Sequence, residues 1–132
     1  MSLKFSIIIP LYNKESSVVK TLDSVLLQSY KDYEIVLVND GSTDSTMSIL
    51  SQYSEKYPEN VILLSQVNQG QAAARNNGLN YVKGKYVNFL DSDDYLSEDA
   101  MEKVFKFFTK NKSKVDVVSL PLIIFGRSDG KH

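Results

Sequence analysis

The chain has 132 residues, of which 42% are hydrophobic and 23% charged, and its formal net charge is −1. These values are typical of one folded domain, and a chain without a basic block is not expected to bind nucleic acid. The chain has no cysteine and one histidine, the terminal His132, which excludes disulfides, thiolate chemistry and histidine-based catalytic or zinc sites. No apolar run approaches the roughly 20 residues of a membrane span. The lack of cysteine fits a cytoplasmic protein, or one at the membrane surface within a longer parent protein.

A nearly continuous apolar run at residues 4–11 predicts a first β-strand that is covered on both faces. Pro10 has no N–H to donate to a neighbouring strand, so we expect the strand to end there. Residues 15–28 then place apolar side chains at intervals of four, seven and eight, which predicts an amphipathic helix. Asn13 is a candidate N-cap for this helix.

The same alternation of strand and helix continues through the middle of the chain. Residues 33–38 predict a second strand, and the Asp, Gly, Ser and Thr residues after it predict a tight turn and a helix cap. We expect a second helix at residues 45–56 and a short third strand at residues 61–64.

A third helix is predicted to open at residues 68–71 and to end at Gly84, because glycine is common just past a helix C-terminus. Gly78, within this helix, is expected to let the helix approach the sheet closely.

Residues 86–90 predict a fourth strand, which runs into three acidic residues within four positions. These acids are Asp91, Asp93 and Asp94. Alternate residues of an extended loop point the same way, so Asp91 and Asp93 would face one cation, with Ser92 turned aside. Oxygen ligands of this kind suit Mg²⁺ or Mn²⁺. The alternative is an acidic turn in which Asp94 or Ser97 caps the next helix.

A fourth helix is predicted with Ser97 as its N-cap, and a fifth strand is predicted at residues 115–120. The apolar pattern continues through residues 121–125, and residues 126–132 read as a polar tail. The alternating order predicts an α/β fold, a mostly parallel sheet with helices on both faces, in one domain over residues 1–132.

Polar loops come after four of the predicted strands, at residues 12–13, 40–42, 68–70 and 91–93. Ligands bind at the carboxyl ends of the strands in such sheets, so four polar loops at one end favour a binding site. The sequence lacks both the Gly-x-Gly-x-x-Gly pattern and the Gly-Lys-Ser/Thr phosphate loop. If phosphates bind, a metal ion at residues 91–93 would have to neutralise them.

Four segments resemble the family 2 inverting glycosyltransferases, in the right order and at the right spacing: residues 6–13, 34–44, 68–76 and 89–94. The resemblance implies the GT-A fold, a Rossmann-like nucleotide-diphospho-sugar transferase fold. It also implies transfer of a sugar, with inversion, from a nucleotide-diphosphate sugar to an acceptor hydroxyl, assisted by Mn²⁺ or Mg²⁺. The implied donor is a UDP-sugar, and the acceptor is a saccharide or a lipid-linked molecule.

Carried onto this chain, the resemblance implies a nucleotide-sugar site made of Pro10, Tyr12, Asn13, Asp40, Gly70, Arg75, Asp91, Ser92 and Asp93. Tyr12 would lie near the base, Asp40 would accept a hydrogen bond from uracil N3–H, and Asp93 would bind the metal more directly than Asp91. The alternatives are structural: Tyr12 as a surface aromatic, Asp40 as a turn residue, and Arg75 in an ion pair.

The resemblance also implies parts that this sequence does not show. The GT-A fold has a second half with the acceptor contacts and the catalytic base, so the chain reads as truncated and its catalytic residue stays unassigned. A module that binds nucleotide-sugar without turnover is therefore the alternative function, and an unrelated nucleotide-binding enzyme, with metal-independent binding, is a third. Residues 120–125 would lose their cover in a truncated fold, which predicts self-association through that segment.

Overall fold

The computed structural model describes residues 5–111 and 124–127. Their order is β1 (Phe5–Leu11), α1 (Val18–Leu26), β2 (Tyr33–Asp40), α2 (Thr46–Lys56), β3 (Val61–Gln66), α3 (Gln71–Leu79), β4 (Tyr86–Phe89), β5 (Asp94–Leu96), α4 (Ala100–Asn111) and β6 (Ile124–Arg127).

Four strands form a parallel sheet in the order β3-β2-β1-β4. Leu11 lies beside Asn39, and Asp40 lies beside Gln66, so the carboxyl ends of β1, β2 and β3 are aligned. Both β2 and β3 run two residues beyond the predicted ends, because their polar last residues still pair in the sheet. The alignment brings the polar loops after these strands to one edge.

Alternate residues of the two central strands bury opposite faces of the sheet. Ile7 and Ile9 pack with residues of α1 and α2, whereas Ile8 and Val36 pack with Ala74 of α3. Every residue of β1 and β2 is buried. Burying one such aliphatic side chain stabilises a fold by about 1.5–3 kcal/mol. The prediction of a mostly parallel sheet with helices on both faces is confirmed.

The two glycines predicted to act on α3 have different roles. A Cβ on Gly78 would lie 2.8 Å from Ile8 Cγ2, so the predicted close approach to the sheet is present. The helix ends at Leu79, however, so the prediction that it ends at Gly84 is wrong. A Cβ on Gly84 would lie 2.6 Å from the backbone of Phe5 and Ser6, so this glycine is required by contact with β1.

Helix α4 begins at Ala100, so the prediction that Ser97 is its N-cap is wrong. The Ser97 hydroxyl donates a hydrogen bond to Asp99 instead of capping the helix. Gln28, which is fully buried, accepts a hydrogen bond from the Met101 N–H at 3.0 Å. A side chain from the end of α1 therefore satisfies an N–H in the first turn of α4, which the local sequence could not reveal.

A short strand that the sequence did not predict lies directly after the acidic loop. Strand β5 pairs antiparallel with β6, with Leu96 beside Ile124. Because β6 includes Gly126 and Arg127, the predicted polar tail over residues 126–132 is wrong at those two positions. Of the segment 120–125, this pairing engages Ile124 within the chain. The predicted strand at 115–120 lies outside the described residues, and self-association through the rest of 120–125 stays a prediction for light scattering to test.

Candidate functional site

A cleft of about 490 Å³ opens at the carboxyl edge of the parallel sheet, within the size range of ligand pockets. Most of the predicted site residues line it: Pro10, Tyr12, Asp40, Gly70, Asp91, Ser92 and Asp93. Asn13 and Arg75 do not line it. Four further residues do, and sequence reasoning did not assign them to the site: Leu11, Lys14, Asn68 and Gln71.

Asp40 ends β2, is only 3% exposed, and accepts four hydrogen bonds from the last residue of β3 and the loop after it. Gln66 Nε2 and the Gln69 N–H donate to Oδ1 at 2.9 and 2.8 Å. The Gly70 N–H and Asn68 Nδ2 donate to Oδ2 at 3.0 and 3.3 Å. A carboxylate offers about four acceptor positions, so Asp40 is saturated. Accepting a further N–H would require one donor to move, and the Asn68 contact is the longest.

The two loops around Asp40 require glycine at defined positions. Gly70 has φ of 99°, a left-handed conformation that glycine adopts without strain, and it is the N-cap residue of α3. Gly41 has φ of 73°, and a Cβ there would lie 2.7 Å from the Asn68 backbone nitrogen. The loops after β2 and β3 therefore touch, and they form one wall of the cleft.

Asn13 holds two loops together instead of lining the cleft. Its side-chain oxygen accepts hydrogen bonds from the Thr43 and Asp44 N–H groups at 2.7 and 3.3 Å. Its φ of 51° is left-handed, a conformation that asparagine tolerates better than most residues. The N-cap residue of α1 is Ser17, so the prediction that Asn13 caps that helix is wrong. Its position beside Tyr12 makes it a positioning residue for the cleft.

Asp44, in the loop before α2, accepts hydrogen bonds from the Thr46 N–H at 2.8 Å and the Glu15 N–H at 3.3 Å. Desolvation raises the pKa of Asp44, but the hydrogen bonds from Thr46 and Glu15 lower it further than desolvation raises it. The net pKa therefore lies below the ordinary carboxyl value. Asp44 thus fastens the loop after β1 to the start of α2.

Arg75 lies on α3, away from the cleft lining. Its guanidinium carbon lies 6.0 Å from the centre of the Phe89 ring, at the limit of a cation–π contact. Among residues 5–111 and 124–127, its buried Nε has no hydrogen-bond partner, and no ion pair involves its side chain. Neither the predicted pocket border nor the alternative structural ion pair is present there.

The acidic loop is a turn and not the extended segment that was expected from the sequence. The Asp94 N–H donates to the Asp91 carbonyl at 3.0 Å, and the Asp93 N–H donates to Asp91 Oδ1 at 3.2 Å. Ser92 is buried, and its carbonyl accepts hydrogen bonds from the hydroxyls of Ser17 and Thr21. These two hydrogen bonds hold the turn against the start of α1. Asp91 and Asp93 still line the cleft in this arrangement.

Lys14 is the residue that sequence reasoning missed at this end of the cleft. Its Nζ lies 2.9 Å from Asp93 Oδ2, with the two side chains 33% and 35% exposed. Ser17 Oγ donates to the other carboxylate oxygen of Asp93 at 3.3 Å. The available signal was its position in the loop after β1, two residues beyond Tyr12. Its partner is 79 positions away, so only the fold brings them together.

The chemistry of the two acids fits one kind of metal site. Within the described ranges, no three His, Cys, Asp or Glu side chains converge on a possible metal position. Mg²⁺ and Mn²⁺ need no such cage, because they keep several waters and take substrate phosphate oxygens beside one or two carboxylates. Asp91 and Asp93 therefore fit an open site of that kind, completed by a diphosphate.

The family model described as "Glycosyl transferase family 2" matches residues 6–132. The chain belongs to this family. One relative is the minor teichoic acid biosynthesis protein GgaB of Bacillus subtilis (strain 168), 37% identical over 130 residues that cover 97% of this chain and 14% of GgaB.

Two solved structures show the same fold. S. aureus TarS, in complex with UDP-GlcNAc, superposes with a TM-score of 0.77 and 31% identity, covering 90% of this chain and 37% of the TarS chain. The mannosyltransferase PcManGT from Pyrobaculum calidifontis, in complex with GDP-Man and Mn²⁺, superposes with a TM-score of 0.75 and 26% identity, covering 82% and 33%. The predicted family and GT-A fold are confirmed, and the chain spans 14% to 37% of these proteins.

In the two ranges that the structure covers, none of the helices has the length and hydropathy needed to cross a bilayer.

Proposed function

We propose that the chain is the donor-binding part of a glycosyltransferase that moves a sugar from a UDP-sugar to an acceptor hydroxyl, with inversion and with help from Mn²⁺ or Mg²⁺. The observation that carries the proposal is the cleft, because it gathers Asp40, Asp91 and Asp93 beside an exposed aromatic ring. The complex of TarS with UDP-GlcNAc supports UDP as the nucleotide. Residues 1–132 would form one nucleotide-sugar-binding unit, the N-terminal half to two-thirds of a full catalytic domain.

The nucleoside would bind along Tyr12 and Asp40. Tyr12 is 45% exposed and lines the cleft, so its ring is available to stack on a base. Asp40 is the acceptor for uracil N3–H in this proposal. Because its four acceptor positions are occupied, the Asn68 amide would move aside as the base enters. Pro10, Gly70 and Ser92 contribute surface to the same pocket.

The diphosphate would lie against the acidic turn. Asp93 and Asp91 would hold the metal, which when bound would offset the charge that develops on the leaving diphosphate. The acceptor hydroxyl attacks the anomeric carbon in line, the bond from sugar to phosphate breaks, and a general base takes the hydroxyl proton. This proposal gives the chain the leaving-group side of the reaction and assigns no residue as the base.

The second candidate is a nucleotide-sugar-binding module without turnover. It is favoured by one observation: the described carboxylates that line the cleft are Asp40, Asp91 and Asp93, which the proposal assigns to uracil and to the metal, so none of them remains to act as the general base. Transfer of sugar by the complete parent protein, abolished by Asp93→Ala, would exclude the module. A cytoplasmic location, at the membrane surface in a longer protein, stays a prediction for either function.

Calorimetry of UDP binding, in Mn²⁺ and in EDTA, tests the proposal. We expect tighter binding in Mn²⁺, and we expect Asp93→Ala to remove most of the difference. Asp99→Ala is the matched control, because Asp99 also pairs with a lysine but lies on the surface outside the cleft. Equal UDP affinity of the unchanged chain in Mn²⁺ and in EDTA would contradict the metal assignment. Failure to bind UDP in either buffer would contradict the donor assignment.

A further inference from the structure

Lys14 has a fixed backbone and a side chain with room to move. Its N–H donates to Oγ1 of the buried Thr46 at 2.8 Å, and its carbonyl accepts from the N–H groups of Ser17 and Val18 at the start of α1. Its ammonium group, in contrast, is held by the partly exposed carboxylate of Asp93. Such exposed ion pairs contribute little to stability, so this pair exchanges easily for another partner.

Lys14 supplies positive charge to a cleft whose described lining is otherwise acidic or neutral. Among the described residues that line the cleft, Asp40, Asp91 and Asp93 are negative, and Lys14 alone is positive. A diphosphate entering this lining would meet three carboxylates and one ammonium group. The turn after β1 contains no glycine, so it does not form a glycine-rich backbone nest for a phosphate.

Lys14 also blocks one of the proposed metal ligands. Its Nζ lies on Asp93 Oδ2 at 2.9 Å, where a divalent cation would compete for the same lone pairs. When a cation binds Asp93, the displaced ammonium group needs a new negative partner. The diphosphate that the same cation binds would lie within the same cleft.

We propose that Lys14 exchanges partners during donor binding: it neutralises Asp93 in the empty cleft and moves to a phosphate oxygen when a nucleoside diphosphate and a divalent cation bind. The proposal rests on the proposed function, since it assumes that a nucleoside diphosphate occupies this cleft. It makes Lys14 a residue that selects for a diphosphate over a nucleoside, and that opposes binding of the metal without nucleotide.

The exchange predicts opposite effects of one substitution. In Lys14→Met, Mn²⁺ alone should bind about two- to fivefold tighter, the factor that corresponds to losing an exposed ion pair. In the presence of Mn²⁺, UDP should bind about tenfold weaker or more, because a charged hydrogen bond is lost. Affinity for uridine, which has no phosphate, should not change. Lys14→Arg should restore the preference for UDP over uridine.

Electron paramagnetic resonance of free Mn²⁺ measures the first effect, and calorimetry with UDP and uridine measures the second. Lys103→Met is the matched control, because Lys103 pairs with Asp99 outside the cleft and should change neither value. Unchanged Mn²⁺ and UDP affinities in Lys14→Met, with normal UDP binding by the unchanged chain, would overturn the exchange alone. Weaker Mn²⁺ binding in the variant would also overturn it. No UDP binding by the unchanged chain would overturn the proposed function and this inference together.

Discussion

The two ends of the parallel sheet both bury an acidic residue of β2, but they use it differently. Near the amino end, Glu34 is 3% exposed and accepts hydrogen bonds at 2.6 Å from the Ser6 hydroxyl and from the Lys83 N–H. At the carboxyl end, Asp40 is equally buried and its carboxylate accepts four hydrogen bonds, yet it lines the cleft. Burial and hydrogen bonding therefore do not separate the two acids, whereas the open cleft beside Asp40 does.

The network around Glu34 explains why this end is closed. The Gly84 N–H donates to Ser6 Oγ at 2.7 Å, and the Ser6 hydroxyl in turn donates to Glu34. Each member is satisfied by the next, so the network fixes the segment before β4 against β1. At the carboxyl end, the donors to Asp40 come from a loop that also forms a wall of the cleft. A ligand in the cleft can replace one of the donors to Asp40. The donors to Glu34 lie within the packed network, where a ligand cannot replace them.

We expect the largest effect, on the free energy of unfolding, from removing Glu34 at the amino end of the sheet. Glu34→Ala removes the acceptor of the buried Ser6 hydroxyl and of the partly buried Lys83 N–H, and each such loss costs about 1–3 kcal/mol. We expect the free energy of unfolding to fall by about 3 kcal/mol, with UDP affinity unchanged wherever the chain is folded. Urea unfolding and calorimetry measure the two quantities. If Glu34→Ala were as stable as the unchanged chain but bound UDP more weakly, the structural role of Glu34 would be contradicted.

A smaller, mixed effect should come from Asp40→Ala. The substitution removes both the base acceptor and the anchor of the loop after β3, so it should weaken uridine binding by about 1–3 kcal/mol and also lower stability. It should narrow the preference for uridine over cytidine nucleotides. If the unchanged chain binds both nucleotides equally, Asp40 does not read the base, and its role is structural as at Glu34.

The smallest effect should appear at low pH, through Asp44. Its pKa is lowered in the folded chain from about 3.8, so its carboxylate stabilises the fold at pH values above the unfolded-state pKa. That contribution is lost as the pH falls below about 3.8 through the folded-state pKa. Asp44→Ala should therefore lower stability slightly at neutral pH, and it should flatten the acid limb of the stability curve. An acid limb identical to that of the unchanged chain would contradict this.

Periodicity and the positions of strand ends made much of the fold predictable from the sequence. The central strands are continuous apolar runs, so their burial on both faces was readable, and the polar loops after them had to share one edge of the sheet. The contact of Gly78 with Ile8 was also predictable, because glycine inside a helix needs a packing reason.

The sequence could not predict contacts made between distant segments. The hydrogen bond from Lys14 to Asp93 joins two loops that are far apart in the chain. At the start of α4, a hydrogen bond to Gln28 takes the place of the local cap that was predicted at Ser97. Strand β5 has three residues, which is too short for an alternating apolar and polar pattern to be recognised in the sequence. Local sequence patterns therefore predicted the position of the cleft. The pairing of Lys14 with Asp93 inside it became visible only in the folded structure.

The central claim is that the acidic turn binds a diphosphate through a divalent cation at the carboxyl end of the sheet. Crystals of the chain grown with UDP and Mn²⁺, measured at the manganese absorption edge, test it most directly. We expect an anomalous peak within bonding distance of Asp93 and of the diphosphate oxygens, with the uracil ring between Tyr12 and Asp40. Electron density for UDP in the cleft without manganese at the turn, or a manganese peak away from Asp91 and Asp93, would contradict it.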